Sequence, residues 1–241
     1  KGLLNGLNGG MYLVNKGLAA SDQTRVVKGW GLVQRNIERI RSMVLDILYY
    51  AKDREPDWQP VSAEGLVNDV YEAMADKARE LNISVARVVE GGAGTVEADE
   101  RAIRAMLLNL AENAFDACRL DQKKPAHDVT LRVGRDDQVT RFEVEDNGIG
   151  MERETREKAF SLFFSSKGSE GTGLGLFIAN KIATAHGGSI AIESTPGVGT
   201  RFVVEIPNVR PADSRPAAPA TAPIADAPIA DAGTTPGDTR T

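Results

Sequence analysis

Three short stretches carry residues whose types and spacing could hold a purine nucleotide. In LLNLAENAFDA, at 107–117, Asn109 and Asn113 lie four apart and share one helix face. A polar pair on a helix otherwise made of Met106, Leu107, Leu108, Leu110 and Ala111 points at something wet. The amide oxygen of Asn113 suits a Mg2+ ion that bridges phosphates, an ion that takes oxygen donors and retains waters. The bland alternative is an asparagine that satisfies buried backbone. In DNGIG, at 146–150, Asp146 stands where a strand ends. Its carboxylate can accept from the exocyclic amine of adenine, at a place where guanine carries a carbonyl. Gly148 and Gly150 would let the backbone lie against the purine with no side chain between. Alone, Asp-Asn-Gly is more often a tight turn. In GTGLGL, Gly171, Thr172, Gly173, Leu174, Gly175 and Leu176 open a helix, and unobstructed amides at a helix start bind phosphate oxygens. Each glycine box is weak by itself; three complementary stretches in this order point to ATP.

Between the glycine boxes, residues 153–170 are polar except for Phe160, Leu162, Phe163 and Phe164. That composition predicts a lid whose aromatic cluster latches onto the body while the remainder stays loose. Lys167 could approach the terminal phosphates or could be solvated.

Elements that place these groups are legible in the periodicity. Val26, Trp30, Val33, Ile37, Ile40, Val44, Ile47 and Ala51 alternate steps of four and three, a heptad seam. Leu4, Leu7, Met11, Val14 and Leu18 repeat the spacing, with a turn and cap at Ser21-Asp22. The result is a helical hairpin over 1–55 whose two stripes meet a second copy in a four-helix bundle; packing against the rest of the chain is the alternative. Gly2, Gly6, Gly9, Gly10 and Gly17 each cost roughly 1 kcal/mol of helix propensity, so the first arm is either closely packed through its missing side chains or easily bent.

Pro56 and Pro60 mark the hairpin's boundary. Ser62 caps a helix to about Leu81, a strand runs near Ile83 to Val89, and Asp99 caps a second helix through Ala117. Val129, Leu131 and Val133 alternate with Thr130 and Arg132; Phe142 and Val144 alternate with Arg141, Glu143 and Glu145. A third helix spans about Leu174 to Ala185 and stops at Gly187-Gly188. A hairpin then turns at Pro196-Gly197-Val198-Gly199. This order predicts an α+β chain: the hairpin, then over 60–207 a two-layer α/β sandwich with a mixed sheet and helices on one face. Residues 208–241, with PIADA duplicated, predict a disordered tail.

With 41% hydrophobic and 26% charged residues, the composition is that of an ordinary globular protein. The net charge of -5 argues for neither nucleic acid nor an anionic membrane as partner. Cys118 is the only cysteine, so no internal disulfide forms, and its place in a helical pattern makes it a packing residue. No apolar run is long enough to cross a bilayer, which gives the segment a cytoplasmic character.

LLNLAENAFDA, DNGIGM, FSLFFSSK and GTGLGL, closed by HGGSIAIESTPGVGTRFVVEIP, resemble the N box, glycine boxes and F box of a sensor histidine kinase's catalytic domain. That domain belongs to the wider family of gyrase, mismatch-repair and chaperone ATPases. The resemblance covers roughly residues 60–207, and the hairpin resembles the dimerisation and phosphoacceptor domain of the same kinases. It implies a Bergerat-type ATP site passing a phosphoryl group to a histidine on the hairpin of a homodimer, then to an aspartate of a response-regulator receiver domain. Two departures stand out. The related hydrolases carry Glu four residues before the metal-binding Asn, where this chain has Asn109, which favours transfer over hydrolysis; and Asp116 stands where many such kinases have Lys or Arg. The two histidines, His127 and His186, both lie off the hairpin. Because Lys1 resembles the basic residue that follows an acceptor histidine by three positions, the acceptor is expected just upstream. A dimeric ATP-sensing scaffold, or a gyrase- or chaperone-type ATPase, is the competing reading.

Overall fold

The computed structural model describes residues 2–51, 55–166 and 171–212. The first two elements are α1 (Gly2–Ala19) and α2 (Gln23–Ala51), and Asp22 caps α2 by accepting from the Arg25 amide at 3.0 Å. The heptad seam divides in two. Val33 is buried, and Val26 and Ile40 are half-buried, facing α1 beside the half-buried Leu7 and Val14. Leu4, Met11 and Leu18 on α1, with Trp30, Ile37 and Val44 on α2, are exposed, so one side of each stripe closes the hairpin and the other has no cover. The side chains of Ile47 and Ala51 lie outside those described.

Close packing accounts for the glycines of α1, which runs unbroken. A Cβ on Gly10 would lie 2.8 Å from Val33 Cγ2 and 3.0 Å from the Gly29 carbonyl, and one on Gly17 would lie 2.8 Å from Val26 Cγ2. Gly9 faces open space.

The sandwich starts at β1 (Gln59–Ser62) and α3 (Ala63–Leu81). Ser62 Oγ accepts from the Gly65 amide at 3.0 Å, and Asn82 ends α3 in the left-handed region at φ 54°. After β2 (Ile83–Val89) and β3 (Thr95–Ala98) comes α4 (Glu100–Leu120), capped by Asp99, whose Oδ1 accepts from the Ala102 amide at 3.0 Å. The remaining elements are β4 (His127–Arg135), β5 (Val139–Asp146), α5 (Arg153–Lys158), α6 (Gly175–Ala185), β6 (Ser189–Thr195) and β7 (Gly199–Pro207).

Five strands form one sheet in the order β2-β4-β5-β7-β6. Only β2 and β4 pair in parallel; the other three ladders are antiparallel, so the sheet is mixed. Val129, Leu131, Val133, Phe142, Val144, Phe202, Val204 and Ile206 turn one face inward onto α3, α4 and α6. The other face carries cross-strand ion pairs, among them Arg201 with Glu143 at 2.7 Å and Arg141 with Glu205 at 2.8 Å. The sandwich expected from the alternation is therefore observed.

Three features differ from expectation. Strands β1 and β3 form a separate antiparallel pair that a four-residue length hid from any test of periodicity. Residues 153–158 of the expected lid are helical, held by Arg153–Glu157 and Glu154–Lys158 pairs four apart. The ordered chain also runs past 207: Asn208 is buried, accepts from Thr140 Oγ1 at 2.8 Å and donates to the Asp136 carbonyl at 2.8 Å. The expected disordered tail beyond residue 212 lies outside the described residues.

Candidate functional site

A cavity of about 570 Å3 opens between α4, the end of β5 and the start of α6, with Arg35, Glu38 and Arg39 of α2 on its rim. Asn109, Asn113, Asp146, Gly150, Gly171, Thr172, Gly173, Gly175 and Leu176 all line it, so nine residues singled out from three separate stretches converge. Lys167 lies outside the described residues. Gly148 and Leu174 are placed differently. A Cβ on Gly148 would come within 2.5 Å of the Ala117 carbonyl carbon, so its missing side chain serves contact with α4 and not with the cavity. Leu174 is buried in the core beneath the start of α6.

Asp146 ends β5 and is buried. Its Oδ1 accepts from the Gly148 amide at 2.9 Å, while Oδ2 has no hydrogen-bond partner among the described residues. Burial pushes this carboxyl up to about 6, against the pull of the Gly148 and Thr200 amides and the Lys124 charge. An acceptor that has been desolvated and left unmatched is costly unless a ligand donor meets it.

On α4, the Asn113 amide nitrogen donates to the Asn109 carbonyl at 2.8 Å. Both asparagine side chains face the start of α6: a Cβ on Gly175 would lie 3.7 Å from Asn109 Oδ1 and 3.8 Å from Asn113 Nδ2. Gly173, at φ 68°, lets the Phe163 backbone approach, and the Phe163 amide donates to the Gly173 carbonyl at 3.0 Å. The lid is thus tied to the glycine box by main chain. The aromatic latch is a partial correction, because Leu162 and Phe163 are exposed and, among the described residues of that segment, Ala159 alone is buried.

Two histidines and the cysteine have structural surroundings. His186 Nε2 accepts from the Asp99 amide at 3.0 Å and its Nδ1 contacts the Ile182 carbonyl at 2.8 Å, an arrangement that requires the neutral ring; burial lowers its pKa. His127 Nε2 lies 3.1 Å from the Asp121 carbonyl. Burial, then the Asp146 charge, pushes the Cys118 thiol up to about 12, as befits a packing residue.

Sequence reasoning missed Lys124 and the rim arginines. Lys124 sits in QKKPAH, which reads as a solvated loop, and Arg35 and Arg39 read as the polar face of a coiled coil. No one-dimensional signal marks either.

A cavity of this volume lined by an asparagine-bearing helix, a strand-end aspartate and a glycine-opened helix defines a class. The family model described as histidine kinase-, DNA gyrase B-, and HSP90-like ATPase matches residues 98–210. Within that class the chain belongs with the sensor histidine kinases, as a catalytic core with its ATP-binding domain. It is 28% identical over 177 residues to the signal transduction histidine-protein kinase AtoS of Escherichia coli, across 73% of this chain and 28% of that protein. A structure of full-length ShkA in complex with AMPPNP aligns with TM-score 0.66 at 29% identity, covering 88% of this chain and 44% of that one. Histidine kinase ThkA in complex with response regulator protein TrrA aligns with TM-score 0.65 at 25% identity, covering 84% and 58%. The chain spans about a quarter to two fifths of the length of the first curated relatives it matches.

Proposed function

We propose that the chain binds Mg2+-ATP in this cavity and transfers the terminal phosphoryl group to a histidine, from which it passes to the aspartate of a response-regulator receiver domain. The observation that carries this is Asp146 Oδ2, a buried acceptor without a partner, opposite a glycine-opened helix start. The carboxylate would take the adenine amine, and the amides of residues 171–175 would take phosphate oxygens. Among the described residues no three acidic, histidine or cysteine side chains gather to cage a metal. Magnesium would enter as an ion carried with the triphosphate, with the Asn113 amide oxygen, on the cavity lining, as its protein ligand.

Transfer, as opposed to hydrolysis, is supported at the position where the related hydrolases carry a glutamate base: Asn109 stands there, lines the cavity and cannot take a proton. Positioning and charge neutralisation would carry the reaction. Neither histidine of the chain suits the acceptor role: His186 is buried as a helix cap, and His127 faces the Asp121 carbonyl. The reading therefore needs an acceptor other than these two histidines. The uncovered seam residues Leu4, Met11, Leu18, Trp30, Ile37 and Val44 support a homodimer, with domains divided at 1–55 and 60–207. No helix among the described residues is long and apolar enough to cross a membrane.

Two measurements test the reading. Calorimetry should give ATP binding that Asp146→Ala abolishes and that Asn113→Ala strips of its Mg2+ dependence; wild-type affinity in either variant refutes the site. Radiolabelled ATP supplied with a histidine-bearing hairpin should label that hairpin. Binding without transfer would leave the ATP-sensing scaffold as the answer, and fast phosphate release would favour an ATPase.

A further inference from the structure

The Lys124 ammonium is three-quarters enclosed and gathers four oxygens from three parts of the chain. It meets Asp121 Oδ2 at 3.0 Å, the Asn147 carbonyl at 2.5 Å, the Gly148 carbonyl at 2.8 Å and the Val198 carbonyl at 3.3 Å. Loop lysines on a protein surface are ordinarily hydrated, and this one has exchanged most of its water for main-chain oxygens.

The direction of the peptides gives that exchange a purpose. A trans peptide points its oxygen and its hydrogen in opposite directions. The peptide joining Asn147 to Gly148 directs its oxygen to Lys124, so its hydrogen faces the other way, onto Asp146 Oδ1 at 2.9 Å. The next peptide repeats the arrangement: the Gly148 oxygen goes to Lys124, and the Ile149 hydrogen goes to the Ala117 carbonyl at 3.2 Å, near the C-terminus of α4 where carbonyls lack helical partners. Fixing Oδ1 fixes the carboxylate plane, and with it the direction of Oδ2, the atom buried without a partner.

We propose that Lys124 is a positioning residue for purine recognition, setting the Asp146 carboxylate through the Asn147–Gly148 peptide and thereby determining the preference for adenine over guanine. This rests on the nucleotide reading above and deepens it. Lys124 is not among the residues that line the cavity; the Val198 contact extends its hold to the β6–β7 turn, so that one ammonium sets the loop against two neighbouring elements.

The test compares Lys124→Met and Lys124→Arg with the unaltered chain, using ATP and GTP as probes in calorimetry and amide spectra recorded without nucleotide. In Lys124→Met the ATP Kd should rise about tenfold, the size expected from loss of one well-aligned charged hydrogen bond, with the weaker GTP affinity changed less than about twofold. Lys124→Arg should recover part of the preference. In the nucleotide-free spectra of Lys124→Met, the Gly148 amide should lose its hydrogen-bonded shift while the α4 and β7 amides stay in place. Equal losses for ATP and GTP, or a Gly148 amide that does not move, would overturn the proposal in favour of a scaffolding lysine. If the unaltered chain bound neither nucleotide, the nucleotide reading would fall, and the Gly148 amide would still decide whether Lys124 sets the carboxylate.

Discussion

Asp146 illustrates how one residue is tuned for binding at the expense of stability. Its carboxyl has risen from 3.8 to about 6 mainly through burial, with Lys124 pulling down from the loop after α4 and Glu145 pushing up from its own strand. Cys118 of α4 also faces it, as a neutral thiol at working pH. A folded-state value above the unfolded one means that the native chain holds its proton longer; this group's contribution to stability is greatest below about 4 and is lost as pH rises to about 6. Two pKa units correspond to about 3 kcal/mol, so Asp146→Asn should raise the melting temperature at pH 7, with the gain shrinking toward pH 4. Recognition has the opposite sign. The ionised form accepts the amine, so the ATP Kd should rise about tenfold between pH 7 and pH 5, and the step should vanish in Asp146→Asn. Nucleotide titrations across that range check both. The importance of Asp146 was readable because its chemistry is local to one motif. Lys124 was not, because three of its four partners are main-chain carbonyls 23 to 74 residues away, whose identity no side chain advertises.

At the scale of the elements, periodicity succeeded wherever one face is buried over several turns. The capped starts of α3 and α4 and the alternation of β4 and β5 stand in the structure as read, and α2 is helical with its heptad seam buried on one side only. It failed for β1, β3 and α5, which are four, four and six residues long and too short to display a period. The glycines of α1 separate into two kinds that only the packed hairpin distinguishes. Gly9→Ala, with nothing within 4 Å of its new methyl, should stabilise the chain by about 0.5–1 kcal/mol through helix propensity. Gly10→Ala gains the same propensity but drives its methyl to 2.8 Å from Val33 and 3.0 Å from the Gly29 backbone, so it should destabilise by about 1–3 kcal/mol. Thermal melts of the pair measure the difference directly; a stabilising Gly10→Ala would show that the helices are free to move apart.

For the whole molecule, the exposed halves of the two seams recur every seven residues and run along one side of the hairpin. On the homodimer reading proposed above a second copy covers these stripes, so Ile37→Glu, which places a charge on the uncovered side without touching the closed one, should give a monomer in light scattering with ATP affinity unchanged. A dimer surviving that change would move the interface elsewhere. A last consequence comes from the two ends of the sandwich. Arg210, just past β7, lies 5.3 Å over the Trp58 ring just before β1, and its amide donates to Glu97 on β3 at 2.7 Å. Entry and exit of the domain are therefore neighbours. The domain could be re-spliced, its old ends joined by a short bridge and new ones opened at the β6–β7 turn or elsewhere on the surface, without altering the path of any strand.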